Sequence, residues 1–144
     1  MLIKVNVVIA RNEQQKQDAF TVRKVVFVDE QNVPMEEEID EYENDSAHFV
    51  LYSQKEPVGA GRFRLVDGVG KVERICVHSS QRGKGAGREI MLAIEEYAKN
   101  QSIPALKLNA QTHAIPFYEG LGYKIISGEF LDAGIPHKTM KKNI

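Results

Sequence analysis

The segment that most constrains the fold of this chain is a glycine-rich turn between a strand-like run and a helical pattern. The run Val-Glu-Arg-Ile-Cys-Val covers residues 72–77, the turn Arg-Gly-Lys-Gly-Ala-Gly-Arg covers residues 82–88, and the helical pattern follows to residue 100. Glycines allow backbone N–H groups to turn toward a ligand, and a helix N-terminus adds partial positive charge. The segment therefore predicts a strand–turn–helix unit that binds an anion. Three basic side chains add full charges to it: Arg82, Lys84 and Arg88.

Length and charge limit the classes of protein to which this chain can belong. A chain of 144 residues predicts one domain, residues 1–144, with a core of its own. A net charge of −1 argues against general attraction to nucleic acid, and no apolar run approaches the roughly 18 residues of a membrane span. The start of the chain alternates apolar and polar residues instead of forming a signal-peptide core. We therefore expect a soluble cytoplasmic protein without nucleic-acid or membrane partners.

The cysteine and histidine residues do not indicate a metal site. Cys76 is the only cysteine, which excludes an intrachain disulfide and fits a reducing compartment. The four histidines lack the spacing of metal ligands: His48, His78, His113 and His137. No metal is therefore expected. His113 and His137 either line a substrate pocket or, as is commoner, are ordinary hydrogen-bonded histidines.

Hydrophobic periodicity predicts an α/β (α+β) fold with elements in the order β-α-β-β-β-α-β-α-β-β. The predicted strands cover residues 2–9, 47–53, 57–66, 70–77, 105–110, 123–130 and 136–142, and the predicted helices cover 13–29, 88–100 and 115–121. Glu56-Pro57 and Asp67-Gly68 are predicted turns, the second of them a good hairpin signal. Because a strand–helix–strand order implies a parallel pair, we expect one mixed sheet of about seven strands with helices on its faces.

Spacing excludes two better-known phosphate loops. A dinucleotide fingerprint, G-x-G-x-x-G, begun at Gly83 or at Gly85 lacks its last glycine. A Walker A loop lacks its first glycine, because His78 stands at that position. The pattern that remains is R-x-x-G-x-G over residues 82–87.

This pattern resembles the acetyl-CoA pyrophosphate loop of the GNAT superfamily of N-acetyltransferases, in which the loop follows the fourth strand and opens the third helix. A second segment is similar to the part of the family that follows the fifth strand. It reads Asn-Ala-Gln over residues 109–111 and Ala-Ile-Pro-Phe-Tyr-Glu-Gly-Leu-Gly-Tyr over residues 114–123. The two segments are specific as a pair. The resemblance implies the GNAT fold and a single N-acetyltransferase domain.

The flanking segments are similar to the ElaA-like branch of that superfamily. The pattern F-x-x-R-x-x-V-F-V-x-E-Q over residues 20–31, with E-x-D over residues 38–40 and His48 beyond it, carries the resemblance toward the N-terminus. Residues 128–140 carry it toward the C-terminus. A faint likeness of residues 23–30 to acyl-homoserine-lactone synthases is set aside, because those enzymes are longer and depend on tryptophan in this region, whereas this chain has none.

The resemblance implies an acetyl-CoA-dependent N-acetyltransferase that moves an acetyl group to a primary amine by direct transfer in a ternary complex. The residues implied to bind acetyl-CoA, the cosubstrate, lie on the fourth strand, in the turn and after the fifth strand: Ile75, Cys76, Val77, Arg82, Gly83, Lys84, Gly85, Ala86, Gly87, Arg88 and Gln111. The turn would hold the pyrophosphate and the backbone of residues 75–77 the pantetheine arm. A main-chain N–H of Val77 or Ile75 would face the thioester oxygen. Gln111 stands where many members carry an asparagine.

Two catalytic residues are also implied. Tyr118 matches the family's tyrosine that faces the CoA sulfur, which makes it the candidate general acid; a core tyrosine is the alternative. Glu73, expected on the same face of its strand as Ile75, is the candidate general base, and an exposed strand glutamate fits equally well. Cys76 has no motif partner for a nucleophilic role, and we expect it on the opposite face from Ile75 and Val77.

The sequence does not identify the molecule that receives the acetyl group. The acidic stretch over residues 36–45 either attracts a cationic amine or is a solvated loop. The acceptor could be a small molecule or a peptide, and the chain a monomer or a homodimer. A non-catalytic acyl-CoA-binding regulatory domain is the alternative function.

Overall fold

A mixed eight-stranded sheet organises the structure, a computed structural model that describes residues 5–144. Its strands are β1 (Val5–Ile9), β2 (Ala47–Ser53), β3 (Glu56–Val66), β4 (Val69–Val77), β5 (Ala105–Gln111), β6 (Lys124–Ile125), β7 (Phe130–Asp132) and β8 (Ile135–Asn143). The strands lie in the order β1-β2-β3-β4-β5-β8-β6, and β7 also pairs with β8. Among these strands, β4 and β5 are parallel and the other pairs are antiparallel.

Helices cover both faces of the sheet. They are α1 (Glu13–Arg23), α2 (Met35–Glu38), α3 (Ala86–Asn100) and α4 (Ile115–Gly120). Alternating residues of β2 show the two faces, because Phe49 and Leu51 pack with α3 whereas Val50 packs with α1. We call these the α3 face and the α1 face. No helix among residues 5–144 has the length and apolar character needed to cross a bilayer.

The first helix is α-helical to Arg23, as predicted, and then changes its geometry. A π-helical segment, Lys24–Glu30, follows α1 directly where an α-helix to residue 29 was predicted. The β-branched residues in this segment, Val25, Val26 and Val28, are poor α-helix formers. Single π turns in α-helices occur frequently at functional sites, and this one lies beside the cleft described below.

The antiparallel meander β2–β3–β4 confirms the three central predicted strands, with one turn shifted. Asp67 and Gly68 form the β3–β4 turn with φ of 51° and 79°, as predicted. The β2–β3 turn lies at Gln54 and Lys55, with φ of 51° and 71°, and not at Glu56-Pro57. Glu56 and Pro57 instead begin β3, and proline is tolerated at the start of a strand.

The C-terminal part of the sheet differs from the prediction. The predicted strand over residues 123–130 is two short strands, β6 and β7, because both pair with the long strand β8 and the chain between them leaves the sheet. The sheet therefore has eight strands instead of about seven. Residues 2–4 of the first predicted strand lie outside the described residues, and Val5–Ile9 confirms the remainder.

A β-bulge at Arg74 corrects the predicted face of Glu73. Glu73 pairs with Arg62 and Cys76 pairs with Ala60, so β4 carries one extra residue between these pairs. Arg74 absorbs it with a φ of 58°. Glu73 therefore lies on the α1 face, and Ile75 does not share that face, because the bulge breaks the two-residue alternation on which the prediction rested. The prediction for Cys76 is confirmed: it packs with the α1 cluster.

Buried guanidinium groups connect the first helix to the acidic stretch. Arg23, fully buried, donates from Nε to Glu38 at 2.6 Å and from both Nη atoms to Glu43 at 2.9 and 2.7 Å. Arg62, also fully buried, contacts Asp40 at 2.7 Å and Glu43 at 3.0 Å. Burial raises the pKa of Glu43, but the two arginines outweigh it and lower that pKa from 4.5 to about 2. These acidic residues are structural and not part of a solvated loop.

Replacing Glu43 by glutamine should show how much its negative charge contributes to the stability of the fold. A pKa that is lower in the folded than in the unfolded chain stabilises the fold fully above about pH 4.5, and this contribution is lost as the pH falls toward about 2. We expect Glu43→Gln to lower the free energy of unfolding by about 3 kcal/mol at neutral pH, measured by urea denaturation. The difference from the wild type should shrink below about pH 4.5. Glu36→Gln, an exposed carboxylate in the same stretch, is the control, and an equal effect there would contradict the prediction.

Candidate active site

A cleft opens where β4 and β5 separate. The two strands pair only from Gly70 to Val72 on β4 and from Leu106 to Leu108 on β5, although both continue beyond these pairs. The cleft between them has a volume of about 760 Å³. The π-helical segment, α2, the glycine-rich turn, α4 and the β7–β8 turn complete its walls. It reaches both faces of the sheet, because the sheet itself is split there.

The glycine-rich turn has the backbone geometry that anion binding requires. Gly83 and Gly85 have φ of 76° and 82°, a region that L side chains rarely adopt. No atom lies within 4 Å of the position of a Cβ at either glycine. It is therefore the backbone conformation, and not a lack of space for a side chain, that requires glycine at these positions. Gly85 is the N-cap residue of α3, and Ala86 begins the helix. The free N–H groups of the first helical turn therefore face the end of the cleft.

The three basic side chains of the turn have different partners. Arg82 forms a bidentate ion pair with Glu30 of the π-helical segment, with distances of 2.6 and 2.8 Å, and donates from Nε to the carbonyl of Val77. Lys84 donates to the carbonyl of Ser80. Arg88 is exposed and makes no side-chain hydrogen bond to any residue between 5 and 144. The turn thus presents less free positive charge than its sequence suggests, and the role of Glu30 was missed although its position was within the resembling pattern.

The backbone of residues 75–77 lies along the open side of β4. Ile75, Cys76 and Val77 line the cleft beyond the last β4–β5 pair, so on that side their main-chain groups have no partner strand. An extended ligand can pair with such an edge as an added strand does. This is the position that the sequence indicated for the pantetheine arm.

Tyr118 lies in the wall of the cleft on the α3 face. Its ring is 8% exposed and packs edge-on against Phe117 and Tyr123, with centroids 5.0 and 6.0 Å apart. Its hydroxyl makes no hydrogen bond within residues 5–144, and the hydroxyl of Tyr123 is buried without a partner. Burial raises the pKa of Tyr118, which keeps the phenol protonated. Phe117 also covers Gly87, where a Cβ would lie 3.1 Å from its ring.

Gln111 spans the cleft on the α1 face. Its Nε2 donates to Oε1 of Gln31, at the end of the π-helical segment, at 2.9 Å. Its Oε1 accepts from Nε2 of His113 at 2.7 Å. The side chain therefore links the two walls, a contact that its sequence position alone did not reveal.

Glu73 is held by arginines on the α1 face. Its carboxylate accepts from Arg62 at 2.9 Å and from Arg64 at 2.7 Å. Burial raises the pKa of Glu73, but these pairs lower it overall below its usual value. The paired carboxylate holds a proton weakly. The predicted base therefore lies in the cleft wall but apart, across the sheet, from Tyr118 on the α3 face.

Two further groups in or near the cleft bear on its chemistry. Cys76 is 5% exposed, and burial raises the pKa of its thiol from 9.0 to about 12. His137, on β8, also lines the cleft. Within residues 5–144, no three or more histidine, cysteine, aspartate or glutamate side chains are grouped to hold a metal ion.

Comparison with known proteins gives consistent matches over nearly the whole chain. A family model described as an acetyltransferase (GNAT) domain matches residues 10–144. The chain is 58% identical over 137 residues to the uncharacterized N-acetyltransferase YjcF of Bacillus subtilis, covering 94% of this chain and 98% of YjcF. A putative N-acetyltransferase from Lactobacillus plantarum superposes with a TM-score of 0.90 at 27% identity, covering 96% of this chain and 97% of that one.

The ElaA protein of Escherichia coli is a more distant relative. It is 27% identical over 128 residues, covering 85% of this chain and 84% of ElaA. Its crystal structure superposes with a TM-score of 0.83, covering 97% of this chain and 99% of that one. The predicted resemblance to GNAT acetyltransferases and to ElaA is confirmed, and so is the predicted fold.

The thiol of Cys76 should be unreactive in the native chain. A pKa raised from 9.0 to about 12 leaves about 1,000-fold less thiolate near pH 8 than an exposed cysteine has. We expect a colorimetric thiol reagent to modify the native chain at least about 100-fold more slowly than the chain unfolded in guanidinium chloride. Equal rates in the two states would contradict this prediction.

Proposed function

This chain belongs to the acetyltransferase (GNAT) domain family, and on that premise we propose that it transfers an acetyl group from acetyl-CoA to a primary amine directly, within a ternary complex. The observation that carries the proposal is the cleft between β4 and β5. An anion-binding turn lies at its end, a free strand edge runs along it, and Tyr118 stands in its wall. Because the cleft reaches both faces, two substrates can meet in it from opposite sides.

The chain's own residues fit acetyl-CoA, which when bound supplies an activated acetyl thioester. The N–H groups of the turn from Gly83 to Gly87 and the start of α3 receive the pyrophosphate. Arg88, which is exposed, adds a positive charge beside them, and Lys84 a second. The open edge of residues 75–77 pairs with the pantetheine arm, and an N–H of Val77 or Ile75 polarises the thioester carbonyl. Gln111 borders the same channel.

Tyr118 is proposed as the general acid. The C–N bond to the amine forms as the C–S bond breaks, and the sulfur leaves as a thiolate that needs a proton. The raised pKa of Tyr118 keeps that proton on the phenol until a thiolate forms beside it. Its place in the cleft wall on the α3 face, which also carries the turn and α3, supports this role.

Direct transfer is favoured over a covalent acetyl-enzyme. Cys76 would have to lose its proton to act as a nucleophile, and burial raises the pKa of this thiol to about 12. Glu73, the candidate base from the sequence, is a weak proton acceptor because its carboxylate is paired with Arg62 and Arg64, which lower its pKa. We further propose that residues 1–144 act as one domain in the reducing cytoplasm, where a single free thiol persists.

The proposal is tested by a screen of primary amines, small molecules and peptides, with acetyl-CoA and a thiol reagent that detects released CoA. Mass spectrometry of the products then shows whether acetyl is attached to nitrogen. Release of CoA only by hydrolysis across a broad panel, without any acetylated amine, would contradict an N-acetyltransferase function.

Gly85→Asp should abolish acetyl-CoA binding. The substitution places a negative charge at the α3 N-cap and strains a position with φ of 82°. We expect the Kd for acetyl-CoA, measured by calorimetry, to rise about 100-fold or more, equivalent to about 2.7 kcal/mol. The control is Gly68→Asp, because Gly68 has nearly the same φ, 79°, and equally open surroundings but lies in the β3–β4 turn. Wild-type affinity in Gly85→Asp would refute the assignment of the turn.

Tyr118→Phe should lower turnover without weakening acetyl-CoA binding. Loss of a general acid is expected to reduce kcat about 100-fold with the first amine that the screen identifies, while the calorimetric Kd stays within about 2-fold. Tyr97→Phe provides the matched control, since Tyr97 packs between Phe49 and Phe63 in the core away from the cleft. Unchanged kcat in Tyr118→Phe would exclude the acid role.

A further inference from the structure

His137 occupies a protected position on the α1 face of the cleft. It lies on β8 between Gln111 of β5 and Phe130 of β7. Its ring is stacked on Phe130, with centroids 6.0 Å apart and an interplanar angle of 21°, and the residue is 8% exposed. Met140, three residues further along β8, packs into the core of the α3 face, so strand alternation places His137 on the opposite face. The imidazole is thus held rigidly across the sheet from Tyr118.

The hydrogen bonding of His137 fixes which nitrogen carries the proton. Nδ1 is 2.6 Å from the carbonyl oxygen of Ile135, and because a carbonyl only accepts, Nδ1 is the donor. In the neutral ring Nε2 then has a free lone pair. Nε2 makes no hydrogen bond or ion pair to residues 5–144. The residue itself belongs to the lining of the cleft.

The other histidines of the described chain are arranged differently. Nε2 of His48 contacts the carbonyl of Glu43 in the buried ion-pair network. Nδ1 of His78 accepts from the backbone and lies 2.8 Å from the hydroxyl of Ser80. His113 also lines the cleft, donates from Nε2 to Gln111 and has no partner at Nδ1 among the described residues, but it is exposed. Glu73, the carboxylate first indicated as base, is held by two arginines. His137 differs from His113 because its ring is buried and stacked on Phe130.

We propose that His137 is the general base of the acetyl transfer, an inference that rests on the function proposed above. Nε2 takes the proton from the attacking amine as the C–N bond forms and the C–S bond breaks, and Tyr118 gives its proton to the departing sulfur. One proton is thus accepted on the α1 face and one donated on the α3 face. Imidazole suits this role because its neutral form has one donor and one acceptor nitrogen, so the ring can take up a proton at the free nitrogen while the other stays bonded. The acceptor amine enters from the α1 face, past the π-helical segment.

Two probe amines test the role without knowledge of the natural acceptor. Propylamine is strongly basic, so its nitrogen releases a proton readily only to a base as the C–N bond forms, whereas the much less basic nitrogen of hydroxylamine needs little help. His137→Asn keeps a side-chain N–H that can reach the carbonyl of Ile135 but removes the basic nitrogen. We expect it to lower the rate of propylamine acetylation about 100-fold and that of hydroxylamine less than about 3-fold, with the acetyl-CoA Kd unchanged. Equal losses with both amines, or no loss, would overturn the proposal.

A second measurement does not depend on activity. Nuclear magnetic resonance of the chain labelled with nitrogen-15 histidine reports the tautomer directly, with His137→Asn used to assign the signal. We expect the neutral ring to carry its proton on Nδ1 and not on Nε2, with and without CoA. A proton on Nε2 would overturn the assignment of His137 alone. A wild-type chain with the expected tautomer that acetylates neither probe nor any amine of the screen would instead contradict the proposed function.

Discussion

The buried guanidinium groups of Arg23 and Arg62 are the constraint on which the architecture around the cleft depends. Both side chains are fully excluded from solvent, so each must be neutralised by carboxylates close by. Glu43 contacts both of them, and its carboxylate therefore joins α1 to β3 through the acidic stretch. Truncating one partner would leave a buried charge uncompensated, which explains why this network specifies a single position for the chain that forms the α1 wall of the cleft.

The bulge at Arg74 connects that network to the opening of the sheet. Arg74 lies where β4 begins to separate from β5, and its guanidinium bonds the carbonyls of Glu37 and Glu38 and the carboxylate of Asp40. The extra residue turns Glu73 toward the arginines while Ile75 stays on the α3 face. Arg74 thus anchors the α1 wall at the point where β4 continues without pairing to β5.

The sequence predicted those features that arise from local pattern and missed those that arise from contacts between distant segments. The order of elements and the glycine-rich turn follow from periodicity and from glycine geometry, both of which are local. The bulge has no local signal, because Arg74 carries a positive φ that its residue type does not favour. The pair between Arg82 and Glu30 joins residues 52 positions apart, and the bond between Gln31 and Gln111 joins residues 80 apart. The sequence leaves His137 open between a pocket-lining residue and an ordinary hydrogen-bonded histidine, and only the structure shows that it lines the cleft and that one of its nitrogens has no partner within residues 5–144.

The charge balance of the α1 face constrains how an acceptor can be recognised. Four carboxylates at this wall have arginine partners: Glu38, Asp40, Glu43 and Glu73. Four guanidinium groups neutralise them: Arg23, Arg62, Arg64 and Arg74. Because these charges cancel at close range, the acidic stretch exerts little net field on an approaching amine. Among residues 5–144, exposed carboxylates at the mouth without an ion-pair partner, such as those of Glu37 and Asp132, stay available to a cation. Selection of the acceptor must then rest mainly on the shape of the cleft and on its uncharged hydrogen-bonding groups, such as the amide of Gln111.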